Sequence, residues 1–179
     1  MFDYDRLENS IILQMENIIR KYAKEYKDIY IIALDCSGEM DSLGVIANTE
    51  SYLSEQTDTD SSDYWYYKFC EEEWEIFDTF EEISFHMRNY MEENQELFSD
   101  SETCTYTEAF DKHCDKVIMA CENALCRLKK SSICEAYPEI LLTFNIREYF
   151  DEEERVMLFE KLNGETAAKE YAEHIEEFC

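Results

Sequence analysis

The residues of this 179-residue chain best suited to chemistry are eight cysteines and three histidines. The cysteines are Cys36, Cys70, Cys104, Cys114, Cys121, Cys126, Cys134 and Cys179, and the histidines are His86, His113 and His174. Structural zinc sites draw on Cys or His pairs a few residues apart. No CxxC occurs, and the nearest spacings run Cys114, Cys121, Cys126. Cys114 and Cys121 fall on the apolar stripe of a helix, where a free thiol behaves as a small hydrophobe. Asp111, His113 and Cys114 are adjacent as a nucleophile group would be, but neighbours on a helix point in different directions. His86 and His174 sit on helices among carboxylates and are expected as surface or boundary residues rather than general bases. Neither metal nor cofactor is expected.

Carboxylates supply the other chemistry. A glycosidase needs two acids placed in a cleft, yet with 43 Asp and Glu any pair can be chosen, so pairing carries no information. G-x-G-x-x-G, the P-loop, G-x-S-x-G and H-E-x-x-H are all absent. Three glycines leave little from which to build a phosphate cradle. Asp58-Thr59-Asp60 begins like a calcium loop but lacks its glycine and closing glutamate. Enzyme is therefore the minority reading, and the acidic runs matter mainly as surface. They are 58–63, 71–73, 81–82, 92–93, 151–154 and the group Glu173, Glu176 and Glu177.

Sixteen Lys and Arg leave a net charge of −27. Such a surplus repels nucleic acid and anionic membranes, costs stability by self-repulsion and speeds encounter with a basic partner. No stretch approaches the ~18 apolar residues of a membrane span. The start, Met1-Phe2-Asp3-Tyr4-Asp5, is acidic and not followed by an apolar run, unlike a secretory signal. The expectation is a cytoplasmic protein with reduced thiols.

The elements that position these residues can be read from periodicity. The length fits one domain, 1–179. Leu7, Ile11, Met15, Ile18, Ile19, Tyr22 and Tyr26 predict an amphipathic helix over 3–26, with Asp3 as N-cap. Three β-rich runs follow: 29–35, 43–49 and the aromatic 64–69. A helical turn over 49–55 and a polar loop over 56–63 lie between the last two. The run 70–77 fits no template. Thr79-Phe80-Glu81-Glu82 and Thr105-Tyr106-Thr107-Glu108 have capping-box order and open helices to Asn94 and to Lys130, with the polar link 99–102 between them. The second helix carries Phe110, Cys114, Val117, Ile118, Cys121, Leu125 and Leu128 on one stripe. A fourth strand spans 140–145, an acidic-start helix begins at 151 and stops at Asn163-Gly164, and a final helix over 166–178 packs through Ala168, Tyr171, Ala172, Ile175 and Phe178. The predicted class is α+β: a small, mostly antiparallel four-stranded sheet covered by helices, in the order α-β-β-β-α-α-β-α-α.

The segment 29–74 adds a resemblance. An apolar strand, a second strand ending in Ala47-Asn48-Thr49-Glu50, a polar loop, then Tyr66-Tyr67-Lys68 and Glu73-Trp74, resembles the bacterial domain-of-unknown-function family 4303. The resemblance implies kinship with immunity-like proteins of polymorphic toxin systems. It supplies no catalytic residues, and it implies structural roles for Asn48, Thr49, Glu73 and Trp74. The expectation is a non-enzymatic protein that binds and neutralises a basic toxin domain, such as a nuclease; the alternatives are a general interaction module or an enzyme with an unrecognised site. The acids expected to touch the partner are Asp58, Asp60, Asp63, Glu71 and Glu72, whereas reversal at Glu173, Glu176 and Glu177 should matter little.

Overall fold

The stripe Leu7, Ile11, Met15, Ile18, Ile19 and Tyr22 is buried along helix α1 (Tyr4–Glu25), whose Asp3 cap accepts from the Arg6 N–H. The coordinates are those of a computed structural model and describe residues 1–100, 102–103, 105–146 and 149–178. Strand β1 (Ile29–Cys36) and strand β2 (Leu43–Thr49) form an antiparallel hairpin in the expected places. Its turn is tied by the Ser37 hydroxyl, which accepts from the Asp41 and Ser42 N–H groups, and by Met40 at φ 56°. Helix α2 (Glu50–Gln56) follows at once, capped by the Thr49 hydroxyl.

Residues 64–69, expected as the third strand, instead form helix α3 (Tyr64–Phe69). Their aromatic, β-prone character serves packing rather than pleating: Trp65 stacks on Phe69 with centroids 6.0 Å apart, and the Tyr30 hydroxyl donates to the Lys68 carbonyl at 2.8 Å. Tertiary contacts here override a propensity worth at most about 1 kcal/mol per residue. The third strand is β3 (Ile76–Thr79), within and just after the stretch that fitted no template, antiparallel to β2. Gly44 permits the pairing, since a Cβ there would stand 2.5 Å from the Asp78 carbonyl oxygen.

Thr79 thus belongs to a strand, and helix α4 (Glu81–Glu93) begins after Phe80 without a side-chain cap. Helix α5 (Gln95–Phe98) leads to a ribbon of β4 (Ser99–Asp100) and β5 (Thr105–Tyr106), where the sequence suggested a polar link; Ser101 and Cys104 lie outside the described residues. The second capping box does not form either: Thr105 lies in β5, and the actual N-cap, Thr107, donates its hydroxyl to the Leu97 carbonyl. Helix α6 (Glu108–Lys129) buries Phe110, Cys114, Val117, Cys121, Leu125 and Leu128, while Ile118 is only half-buried. After helix α7 (Ser132–Ala136) comes strand β6 (Leu141–Ile146). Helix α8 (Glu152–Asn163) has a complete Asp151/Glu154 capping box and ends at Gly164, φ 87°. The last helix is shorter than predicted: α9 (Glu165–Glu173) gives way to a 3-10 turn at Ile175–Glu177, and Ala172 is exposed. Cys179 lies outside the described residues.

The sheet order is β3-β2-β1-β6. Two pairings are antiparallel as expected, but β1 and β6 run parallel, so the sheet is mixed. The long helical crossover between β3 and β6, which run the same way, allows the same-direction return that a tight turn forbids. One face of the sheet carries Ile32, Leu34, Leu142 and Phe144 against α1 and α6. The other carries Tyr30, Ile31 and Ala33 against Phe69, Trp74, Phe159 and Tyr171. The two edges differ. On β6, the Asn163 side chain donates to the Leu142 carbonyl at 2.7 Å and accepts from the Leu142 N–H at 2.8 Å, as a neighbouring strand would. Beyond β3 no further strand pairs among the described residues.

Candidate functional site

The parallel pair β1/β6 brings two polar residues side by side at its carboxyl end. Asp35 lies in register with Asn145, and the Asn145 amide donates to the Asp35 carboxylate at 2.8 Å. Both point to the face opposite α1 and α6, because Leu34, Cys36, Phe144 and Ile146 fill the other. The crevice beyond the carboxyl ends of parallel strands is where open α/β sheets place ligands. Here it is a cleft of about 650 Å3. Its floor is Asp35, Asn145 and Ile46; its walls include Tyr66, Cys70, Glu71 and Glu72 after β2, Arg155 from α8, and Glu177 beside the carboxyl end of the chain.

Charge in this cleft is arranged in two layers. At depth, Glu71 is 6% exposed. Its two carboxylate oxygens accept from one Arg155 nitrogen, each at 3.1 Å, and the Arg155 Nε donates to the Tyr171 hydroxyl at 3.3 Å. Burial nevertheless dominates and holds the Glu71 carboxyl above its ordinary value. Nearer the mouth, Glu72 and Glu177 are exposed. The Tyr66 hydroxyl donates to Glu73 at 2.9 Å, a bond that pushes the phenol up to about 12. Burial also raises the Cys70 thiol, which is thereby a poor nucleophile.

An aromatic hollow adjoins the cleft and shares Tyr66 and Glu177 with it. Ser61, Ser62, Asp63, Trp65, Tyr67 and His174 complete its lining. His174 lies on Trp65 with centroids 4.0 Å apart, and its Nδ1 meets Glu177 at 2.8 Å. Lys68 stands over the Trp65 ring at 4.8 Å and pairs with Glu170 at 2.9 Å.

Of the acids singled out in the sequence, Glu72 lines the cleft and Asp63 the hollow. Glu71 lines the cleft too, but it is buried and its carboxylate pairs with Arg155. Asp58 and Asp60 are exposed on the loop leading to α3 and line neither depression. Among the described residues no Lys or Arg stands within ion-pair distance of Asp58, Asp60 or Asp63. Glu177, expected to stand apart, lines both depressions. Asp35, Asn145, Arg155 and Tyr66 were missed, although Asp35 and Asn145 carry a signal. Each is the polar residue that follows an apolar run, Ile-Ile-Ala-Leu and Leu-Leu-Thr-Phe respectively.

Most of the remaining histidines and cysteines are buried. His113 is 3% exposed among Phe2, Tyr4, Tyr90 and Phe98; its Nδ1 meets the Tyr4 hydroxyl at 2.8 Å, and burial lowers its pKa to about 4. His86 is exposed, 4.0 Å from Glu82. Cys36, Cys70, Cys114, Cys121, Cys126 and Cys134 are free thiols, and no metal-holding group of three or more His, Cys, Asp or Glu occurs among the described residues. Asn48 is buried against the Tyr30 hydroxyl at 3.2 Å, Thr49 caps α2, and Trp74 lies in the core, the structural roles that the resemblance implies. No described helix is long and apolar enough to cross a membrane.

The model of the family described as Domain of unknown function (DUF4303) matches residues 7–164. The matched stretch includes the cleft floor and Arg155 but stops short of Glu177. No curated protein matches the chain, and neither does any solved structure.

Proposed function

The chain belongs to the DUF4303 family, and from that premise we propose that it is a non-catalytic binding protein that captures a basic protein partner. In its sharpest form the partner is a toxin domain, such as a nuclease whose own cleft is built for phosphates, and the chain neutralises it as a cytoplasmic immunity-like protein. The observation that carries the reading is the distribution of charge. The chain holds a net −27, while cations such as Lys21, Lys68, Arg127 and Arg155 are spent on internal ion pairs and the loop acids Asp58, Asp60 and Asp63 have none among the described residues. Asp58, Asp60 and Asp63 on the loop, with Glu72 and Glu177 at the cleft mouth, present exposed carboxylates to a basic surface. Opposite fields accelerate encounter by orders of magnitude, and salt screens them over about 8 Å at physiological ionic strength.

The test is a pull-down with the product of the gene beside this one, followed by survival of cells expressing that product. Association should slow as salt rises, and reversing Asp58, Asp60, Asp63 and Glu72 to lysine should weaken the complex while leaving the free protein folded. If the neighbouring product neither binds nor harms cells, the toxin-neutralising reading falls. A second reading draws on the cleft itself: Asp35, Asn145 and Arg155 converge as in a small-molecule site. Saturable binding of a metabolite that Asn145→Leu abolishes would favour it.

A further inference from the structure

The sheet's two edges point to where an extended segment docks. The β6 edge is closed by the Asn163 amide, as described above. Among the described residues the β3 edge has no such cover. The Phe80 N–H donates to the Leu43 carbonyl at 2.9 Å, and the register pairs Val45 with Asp78 and Ile46 with Phe77. Hydrogen bonding alternates along an antiparallel ladder. Ile76, Asp78 and Phe80 therefore turn their backbone groups toward β2, whereas Phe77 and Thr79 turn theirs outward.

An edge of this kind is a template for another strand, and proteins usually blunt it. Here the side chain at its centre is Phe77, 81% exposed beside a half-buried Ile46. Lone exposed hydrophobes need no explanation; one on an uncovered strand edge has a use. Exposed Glu75, Glu81 and Glu82 flank the strand, and Asp78 is held by Lys21 at 2.8 Å. A second copy of the chain would set these acids against their own kind, with −27 on each side. A basic occupant meets complementary charge.

Resting on the basic-partner reading, we propose that β3 is a docking strand: an extended segment of the partner, bearing Lys or Arg on either side of an apolar residue, adds beside it as a fifth strand. Phe77 and Thr79 supply the backbone bonds, Phe77 and Ile46 the apolar contact, and Glu75, Glu81 and Glu82 the ion pairs. This is strand addition to a sheet edge, in which main-chain bonds give affinity and alternate side chains give specificity.

A synthetic peptide of alternating lysine and valine tests it, with a glutamate–valine peptide as control and amide hydrogen exchange as readout. The lysine peptide should slow exchange at Phe77 and Thr79, and the control should not. Thr79→Pro removes an outward N–H without touching the β2 ladder and should weaken binding about tenfold, the worth of one hydrogen bond. Phe77→Ala, which keeps the backbone intact, should weaken it several-fold. Protection confined to α3 and the cleft would overturn the docking strand and leave the basic-partner reading standing. Protection at β3 that grows with protein concentration and needs no peptide would mean a second copy and also overturn it. A lysine peptide that binds nowhere would remove both readings.

Discussion

Replacing Arg155 by methionine strands a charge in the wall of the cleft, and the cost can be worked from the geometry. Glu71 is 6% exposed and takes both of its ion-pair bonds, at 3.1 Å each, from Arg155. Burial already holds its carboxyl above the ordinary 4.5 despite that pairing. Without Arg155 the largest opposing influence is gone, and the pKa rises further. Breaking a buried pair on one side costs about 3–5 kcal/mol, a large part of the roughly 5–15 kcal/mol that holds a domain folded. The sign with pH follows from the direction of the shift. A carboxyl whose folded pKa exceeds its unfolded value keeps a proton that the unfolded chain gives up. Its favourable contribution is full below the unfolded value and is lost as pH rises toward the folded one, by up to about 1.4 kcal/mol per unit within the window. Arg155→Met should therefore cost more at pH 7 than at pH 5, and adding Glu71→Gln should restore most of the loss. Urea unfolding followed by the fluorescence of Trp65 and Trp74 measures each difference. A loss under about 1 kcal/mol at pH 7, an equal loss at both pH values, or no rescue by Glu71→Gln would refute the reasoning.

Leu125 is fully buried on α6, so Leu125→Ala should cost about 2–5 kcal/mol in the same unfolding assay; a loss under ~0.5 kcal/mol would mean that the helix presents another face. Burial pushes the Cys36, Cys70, Cys114, Cys121 and Cys134 thiols up, so native protein at pH 8 should resist alkylation at these five while half-buried Cys126 reacts faster than any of them, and mass spectrometry showing Cys121 labelled as fast as in urea would contradict this. His113 falls from 6.5 to about 4 on burial, so the unfolded chain binds its proton first and stability should drop as pH falls from 6.5 toward 4, by at most about 3 kcal/mol. Paired with Tyr4→Phe, which removes the hydroxyl that His113 meets, His113→Phe should lack that component of the slope, and an unchanged slope would argue that His113 is not kept neutral.

Periodicity made the long elements legible because each is long enough to show its period and buries one face. The stripes of α1 and α6, the apolar runs of β1, β2 and β6, and the Asn163-Gly164 stop are of this kind. Tyr64 to Phe69 misled because six residues are too few to separate a pleated run from two helical turns, and aromatics suit both. Ile76 to Thr79 escaped notice because its neighbours are acidic and one of its two large apolar residues, Phe77, faces solvent. Strand direction was illegible in principle, since an intervening crossover of helices lets the last strand run either way. That one unknown hid the site. Asp35 and Asn145 are 110 residues apart and meet only because β1 and β6 run parallel in that register.

The cations show how this chain tolerates its charge. Lys21 ties α1 to β3, Arg127 ties α6 to α1, Lys68 ties α3 to α9, and Arg155 ties α8 to the segment that follows α3. Each joins elements distant in sequence, so these four positive charges fix tertiary structure, while Arg20, Lys112 and Lys169 pair with acids one turn away on their own helices. The surplus acids are left on exposed stretches: the loop before α3, the mouth of the cleft and the flanks of β3. Exposed like charges repel weakly through water and are further screened by salt, so the fold bears them at moderate cost. A partner that excluded water from the same surface would sharply strengthen whatever interaction it made there, favourable if basic and prohibitive if acidic. On the proposed basic-partner reading, the arrangement would act as a filter as well as an attraction, because the same surface rejects acidic proteins.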